Sequence, residues 1–241
     1  MKLRILLIFI VLVISIAGFL YATRPGSDQT PLQTNSANKT GNEKKTSDCD
    51  DPLSLKSPVD LNLTTSILYP GQVRGGDFKP HGGFRFDNSK NEAIEVKMPR
   101  AAKFVEASRY IEMGEVQYMF DFETSCGIRY RFDHLLVLTP KFAKIAEGLP
   151  KAKVDDSRTT SIRPSVDVEE DEVIATAVGF KNTKNVFVDF GVYDKRGKFF
   201  SNPRDNAVCW FDLLPPKDAT LVKSLPPADS ISGSQSTLCK P

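Results

Sequence analysis

Net charge is scarce in this sequence. Its 32 basic and 30 acidic residues leave a net charge of +2, and that balance excludes recognition of nucleic acid or anionic lipid by overall electrostatics. Histidine is scarcer still: His81 and His134 are the two in 241 residues, so any imidazole chemistry falls to them. Of the four cysteines, Cys49, Cys126, Cys209 and Cys239, no two have the CxxC spacing of a structural zinc site or a redox dithiol. None directly follows the N-terminal apolar run, which excludes lipoprotein-type acylation there. No helix start follows Gly75-Gly76 or Gly82-Gly83, so these glycines read as turn residues and not as a phosphate cradle. No internal repeat is evident.

Apolar length, by contrast, is abundant at the start. Lys2 and Arg4 precede an almost unbroken apolar run from Ile5 to Ala22, and about 18 such residues can span a bilayer, whereas a cleaved signal core is usually about 7 to 15 long. The run predicts an uncleaved, single-pass signal anchor over residues 1–23; the alternative is a long signal peptide cut near Ala22, which would make the protein secreted. The positive-inside rule keeps the N-terminus cytoplasmic and places the rest outside the cytoplasm. Residues 24–56 are rich in Ser, Thr, Asn, Asp, Gly and Lys and read as a flexible linker. Residues 57–229 have the length and the apolar content of one folded domain, and 230–241 read as a C-terminal tail.

An even cysteine set in an oxidising compartment predicts two disulfides. Three pairings are open. Stapling the domain ends would join Cys49 to Cys239 and leave Cys126 with Cys209.

Alternating patterns predict strands over Ile94–Met98, Lys103–Glu106, Gln117–Phe122, Gly127–Leu138, Val173–Val178 and Asn185–Tyr193. Helical periodicity appears mainly near Pro140–Leu149 and again near Lys217–Leu225, and Pro215–Leu225 reads as a short C-terminal helical segment. The domain is therefore expected to be mainly β. Alternation also assigns faces. Val186, Val188, Phe190 and Val192 form a core face, and Phe187, Asp189, Gly191 and Tyr193 point away from it. Arg85 and Asp87 share a side of their strand. His134 is expected beside Ile128, Tyr130 and Phe132, with Arg129, Arg131 and Asp133 opposite. Val208-Cys-Trp-Phe211 with Leu213-Leu214 reads as a segment docking on the domain, where it would cover part of a groove.

The order of these pieces resembles the lysostaphin-type peptidoglycan endopeptidases, zinc metallopeptidases with a mostly antiparallel β-sheet or sandwich fold. Their pattern is a His-x-x-x-Asp ligand pair, a Tyr-x-His-Leu segment that supplies an assisting histidine, and a His-x-His strand. Here His81-Gly-Gly-Phe-Arg85 stands at the first position, Val96-Lys-Met-Pro-Arg100 is similar to the turn after it, and Tyr130-Arg-Phe-Asp-His134-Leu135 is similar to the middle segment. Val173 to Gly179 and Asn185-Val-Phe187-Val-Asp189-Phe-Gly-Val192 stand where the last strands fall. The resemblance covers residues 66–194 and accounts for both histidines.

Three departures bear on chemistry. Arg85 occupies the aspartate-ligand position, Phe187 the catalytic-histidine position and Asp189 the third-ligand position. A guanidinium is a permanent cation with no lone pair, so it repels a divalent ion. The resemblance then implies an emptied metal site closed by an Arg85–Asp189 ion pair, flanked by a groove of His81, Asp87, Phe187 and Tyr193. No cofactor is expected on this reading. In the alternative, His81, Asp87 and Asp189 hold zinc and His134 acts as the catalytic base. The expected function is a membrane-anchored, inactive peptidase-like domain that binds peptidoglycan or regulates a cell-wall hydrolase. The alternative is an active metal-dependent endopeptidase.

Overall fold

The computed structural model describes Cys49, residues 53–196, 206–229 and 235–239. The anchor expected over residues 1–23 and most of the linker lie outside these residues; no described helix is long and apolar enough to cross a membrane. The described residues belong to a compact unit running from Lys44 to Pro241.

Eleven strands are present among the described residues: β1 (Ser66–Leu68), β2 (Gln72–Arg74), β3 (Asp77–Lys79), β4 (Gly82–Arg85), β5 (Val96–Lys97), β6 (Ala102–Glu112), β7 (Glu115–Glu123), β8 (Ile128–Leu138), β9 (Thr160–Val168), β10 (Val173–Val178) and β11 (Phe187–Asp194). Nine of them form one sheet in the order β1-β4-β11-β8-β7-β6-β9, with β10 bound to β8 and β5, while β2 and β3 form a separate hairpin. Every strand pairing is antiparallel. The mainly β class expected from the alternation is the class observed, and its pairing is antiparallel. Two α-helices among the described residues are also where periodicity places them, α1 at Pro140–Ala146 and α2 at Pro216–Ser224.

The core lies on one face of the sheet. Phe84, Val188, Phe190, Val192, Phe132, Tyr130, Phe120, Phe122 and Phe104 are fully buried there. Phe142 of α1 packs on Phe104, Phe120 and Phe122 with ring centroids 5.7–6.2 Å apart. Trp210 packs on Phe84 at 4.8 Å and on Phe190 at 5.3 Å. Each such aromatic removes roughly 150 to 250 Å² from water, which makes this layer the main stabilising element of the domain. The 208–214 segment does dock, but on this core side. Phe190 and Asp189 are adjacent residues with opposed side chains, so a segment seated on Phe190 cannot cover the face that carries Asp189.

Several sequence expectations are corrected. The disulfides are Cys49–Cys126 and Cys209–Cys239: two bridges form as expected, but the pairing that staples the ends does not. The physical cause is the fold of the flanks. Leu53 and Leu55, assigned to the linker, are buried, and the amide of Leu55 donates to Leu213 O at 2.7 Å. The tail is likewise tied down, with the Thr237 amide donating to Gly71 O at 2.7 Å and Ser236 Oγ to Pro70 O at 2.6 Å. Gly75 and Gly76 do form the β2–β3 turn, both with positive φ (58° and 85°). Gly82 and Gly83, also expected in a turn, are strand residues instead. A Cβ on Gly82 would lie 2.2 Å from Leu68 O, and one on Gly83 would lie 2.6 Å from Val188 O, so backbone proximity is what requires glycine there.

Candidate functional site

The sheet face opposite the core is polar and unusually well buried. Register puts Asp189 opposite Asp133 and Gly191 opposite Arg131, with Asp121 opposite Arg131 on the other side. A cleft of about 720 Å³ opens over this face. Its floor includes Asp189, Asp133, Arg131 and Met119; one wall is the β2–β3 hairpin with Arg74 and Lys79, and the other is the 157–159 segment. Both histidines and Glu112 also line it.

His81 sits just before β4 and reaches across β11, where its Nε2 lies 3.0 Å from Asp189 Oδ2. Gly191 makes this possible, since a Cβ there would approach His81 Cβ to 3.0 Å. Burial alone would push the Asp189 carboxyl up. The charge and hydrogen bond of His81, with further help from His134 and Arg74, outweigh it and hold the carboxyl at about 2, because an adjacent cation favours the ionised form. Asp189 Oδ1 and His81 Nδ1 are buried and have no hydrogen-bond partner among the described residues.

His134 reaches the cleft by a route the sequence does not disclose. Strict alternation would put it on the core side with Phe132. Instead the β7–β8 register shifts between Tyr118 and Phe120, and His134 has φ +62°, so a bulge turns its side chain to the polar face. Its ring lies 4.5 Å from Phe187 and 5.2 Å from Phe180, and Nδ1 is 4.0 Å from Glu112 Oε2. The left-handed conformation is held by two bonds: the His134 amide donates to Asp133 Oδ1 at 2.8 Å, and Gly179 N donates to His134 O at 2.8 Å. Tyr110 Oη also donates to Asp133 Oδ1, at 2.6 Å. Burial, then Asp133, pushes the Tyr110 phenol far up, which leaves it a donor throughout the accessible pH range.

The expected Arg85–Asp189 pair does not form. Arg85 stands opposite Phe187 in the register, while Asp189 stands opposite Gly83, so the Phe187 side chain separates them. Arg85 turns the other way along the sheet, donating to Asn185 Oδ1 at 2.7 Å and lying 3.7 Å from Asp87 Oδ1. Its guanidinium carbon lies 5.8 Å from the Phe187 ring centroid. Asp87 is exposed and accepts from Thr65 Oγ1 at 2.8 Å, outside the cleft lining. The alternative ligand set of His81, Asp87 and Asp189 is therefore not gathered. Among the described residues no three His, Cys, Asp or Glu side chains group as a metal site would; His81 and Asp189 face each other directly. Of the remaining groove candidates, Phe187 borders His134, and Tyr193 is buried beside Gly191 with its hydroxyl unpartnered. Burial pushes that phenol up to about 12.

Sequence reasoning missed the charged network beneath the cleft. Asp121 is fully buried and accepts from Arg129 at 2.9 Å and from Arg131 at 2.8 and 2.9 Å; Arg129 also reaches Glu106 at 2.7 Å. The signal was present in the alternation of Gln117–Phe122 and Gly127–Leu138, which puts Asp121, Arg129 and Arg131 on one face. What alternation could not show is that this face is roofed. Arg74 and Lys79 were missed because a three-residue strand carries too little pattern to be detected.

No protein-family model, no curated protein and no solved structure matches this chain.

Proposed function

We propose that this chain is a membrane-anchored, extracytoplasmic domain of lysostaphin-type peptidase fold that does not hydrolyse, and that its cleft binds peptidoglycan or serves to regulate a cell-wall hydrolase. The observation that carries the reading is the direct 3.0 Å contact between His81 and Asp189. These residues stand at two ligand positions of the peptidase pattern, and here they satisfy each other. Phe187, at the position of the catalytic histidine, offers no proton acceptor, and Arg85 adds a fixed cation nearby. The antiparallel sheet, the positions of both histidines on one cleft and the apolar run Ile5–Ala22 support the same reading. Its warrant for the ligand is analogy of fold and site order.

A chain of this kind is expected to sediment with purified peptidoglycan sacculi, to release no soluble fragments from them, and to do both unchanged in the presence of a chelator. Failure to sediment refutes the wall-binding reading. Fragment release that stops on chelation and returns with zinc refutes the loss of catalysis.

A further inference from the structure

The cations around the cleft are not equivalent. Arg131 is engaged by Asp121 at 2.8 and 2.9 Å, and Arg158 makes two bonds of 2.6 Å to Asp156. Arg74 differs. Among the described residues its one hydrogen bond is from Nη2 to the backbone carbonyl of His81 at 3.2 Å, and its buried Nε has no partner there. A guanidinium presents five donors in a rigid fork that matches a carboxylate, so most of this fork is unused. Lys79 lies on the same face of the hairpin, since Arg74 pairs with Asp77 and Lys79 with Gln72. Its nearest carboxylate, Asp77, is 3.9 Å away. Two under-used cations thus stand on one wall of a cleft whose volume is about 720 Å³.

The floor of the cleft supplies carboxylates. Asp189 Oδ1 is buried without a donor, and Asp133 and Glu112 line the same space. Buried polar atoms are nearly always satisfied, and a cleft with cations on one wall and carboxylates on its floor suits a ligand that carries both an anion and hydrogen-bond donors. A polyanion with repeating phosphates would meet these carboxylates and be repelled. A chain with one carboxylate at its end and amide N–H donors behind it matches both sides.

We infer that Arg74 and Lys79 form a carboxylate-binding subsite, which takes the terminal carboxylate of a peptide lying in the cleft with its amides toward Asp189 and Asp133. The inference rests on the reading of the cleft as a binding site and specifies the chemistry of what binds. Arg74 supplies the directional, paired hydrogen bonds and Lys79 supplies charge.

The test uses the full chain and three probes: N-acetyl-trialanine with a free carboxylate, the same peptide as its C-terminal amide, and inorganic phosphate, each titrated calorimetrically. The acid is expected to bind at least about tenfold more tightly than the amide, with phosphate weaker than the acid. Arg74→Gln is expected to erase the difference between acid and amide, Arg74→Lys to restore part of it, and Lys79→Gln to reduce it while leaving the thermal midpoint unchanged, because Lys79 is on the solvated hairpin. Equal binding of acid and amide, binding of neither, or an acid preference that survives Arg74→Gln overturns the subsite. Phosphate binding more tightly than the acid overturns the peptide assignment. Sedimentation with sacculi, measured on the same preparations, separates this inference from its premise. Sedimentation with no acid preference refutes the subsite and leaves wall binding standing, whereas acid preference without sedimentation supports the subsite and refutes wall binding.

Discussion

The His81–Asp189 pair has a pH signature that can be worked out in advance. In the folded protein the Asp189 carboxyl is held at about 2, while in the unfolded chain an aspartate titrates near about 3.9. Between these values the unfolded state binds the proton more readily, so stability falls as pH is lowered through the window. A depression of roughly two units corresponds to about 2 to 3 kcal/mol, fully present above about pH 4 and lost as pH approaches 2. The assay is urea unfolding with disulfides intact at several pH values from 6 down to 2, comparing the wild type with Asp189→Asn. Other carboxylates contribute to both curves and cancel in the difference. The wild type is expected to lose about 2 to 3 kcal/mol more than the variant between pH 4.5 and 2. His81→Gln should reverse the sign. With its chief counter-charge gone, burial raises the Asp189 carboxyl, and stability then increases as pH falls from about 6 to about 4. Parallel curves for wild type and Asp189→Asn would refute the claim that His81 and Asp189 interact as an ion pair.

Three further outcomes are expected. Arg85→Ala should cost about 1 kcal/mol, because it loses a bond to Asn185 at a partly solvated position. Its effect should add to that of Asp189→Ala within about 0.5 kcal/mol in a double-mutant cycle, and strong coupling would mean that the two residues meet after all. Asp121→Asn should be severe, about 3 to 5 kcal/mol by denaturant unfolding, since Arg129 and Arg131 would lose their shared buried counter-charge; a loss below about 1 kcal/mol would show that the network is open to solvent. Peptide mapping without reduction should recover Cys49 linked to Cys126 and Cys209 linked to Cys239, and reduction of the latter bridge should cost about 3 kcal/mol through the loop it closes. Recovery of a Cys126–Cys209 peptide would refute the described fold of both flanks.

Much of the architecture is legible in the chain because burial on a sheet has a period of two. Val173–Val178 matches β10 in full, β11 splits into core and polar faces as its alternation predicts, and Met113-Gly114 and Gly75-Gly76 turn where glycine punctuates the pattern. β9 is the instructive omission. It is an edge strand, largely exposed, and its ladder with β6 is interrupted around Pro164, so neither hydrophobic alternation nor unbroken pairing marks it. The candidate site was legible in its membership, since His81, His134, Phe187 and Asp189 do converge. Who pairs with whom was not. A one-residue bulge reverses His134, and a two-residue offset in register sends Arg85 to Asn185 and gives Asp189 to His81.

By itself, then, the amino-acid order determined the secondary-structure class, the faces of the long strands, the even set of cysteines and the poverty of imidazole that limits the site to two histidines. These properties depend on local sterics and on the spacing of apolar residues, both of which are written along the chain. The tertiary structure alone decided the disulfide pairing, the ion-pair partners, the roofing of the polar face and the partly unused guanidinium of Arg74. Each of these depends on distances between strands that are remote in sequence, where a shift of one or two residues in register exchanges one partner for another at little change in local preference.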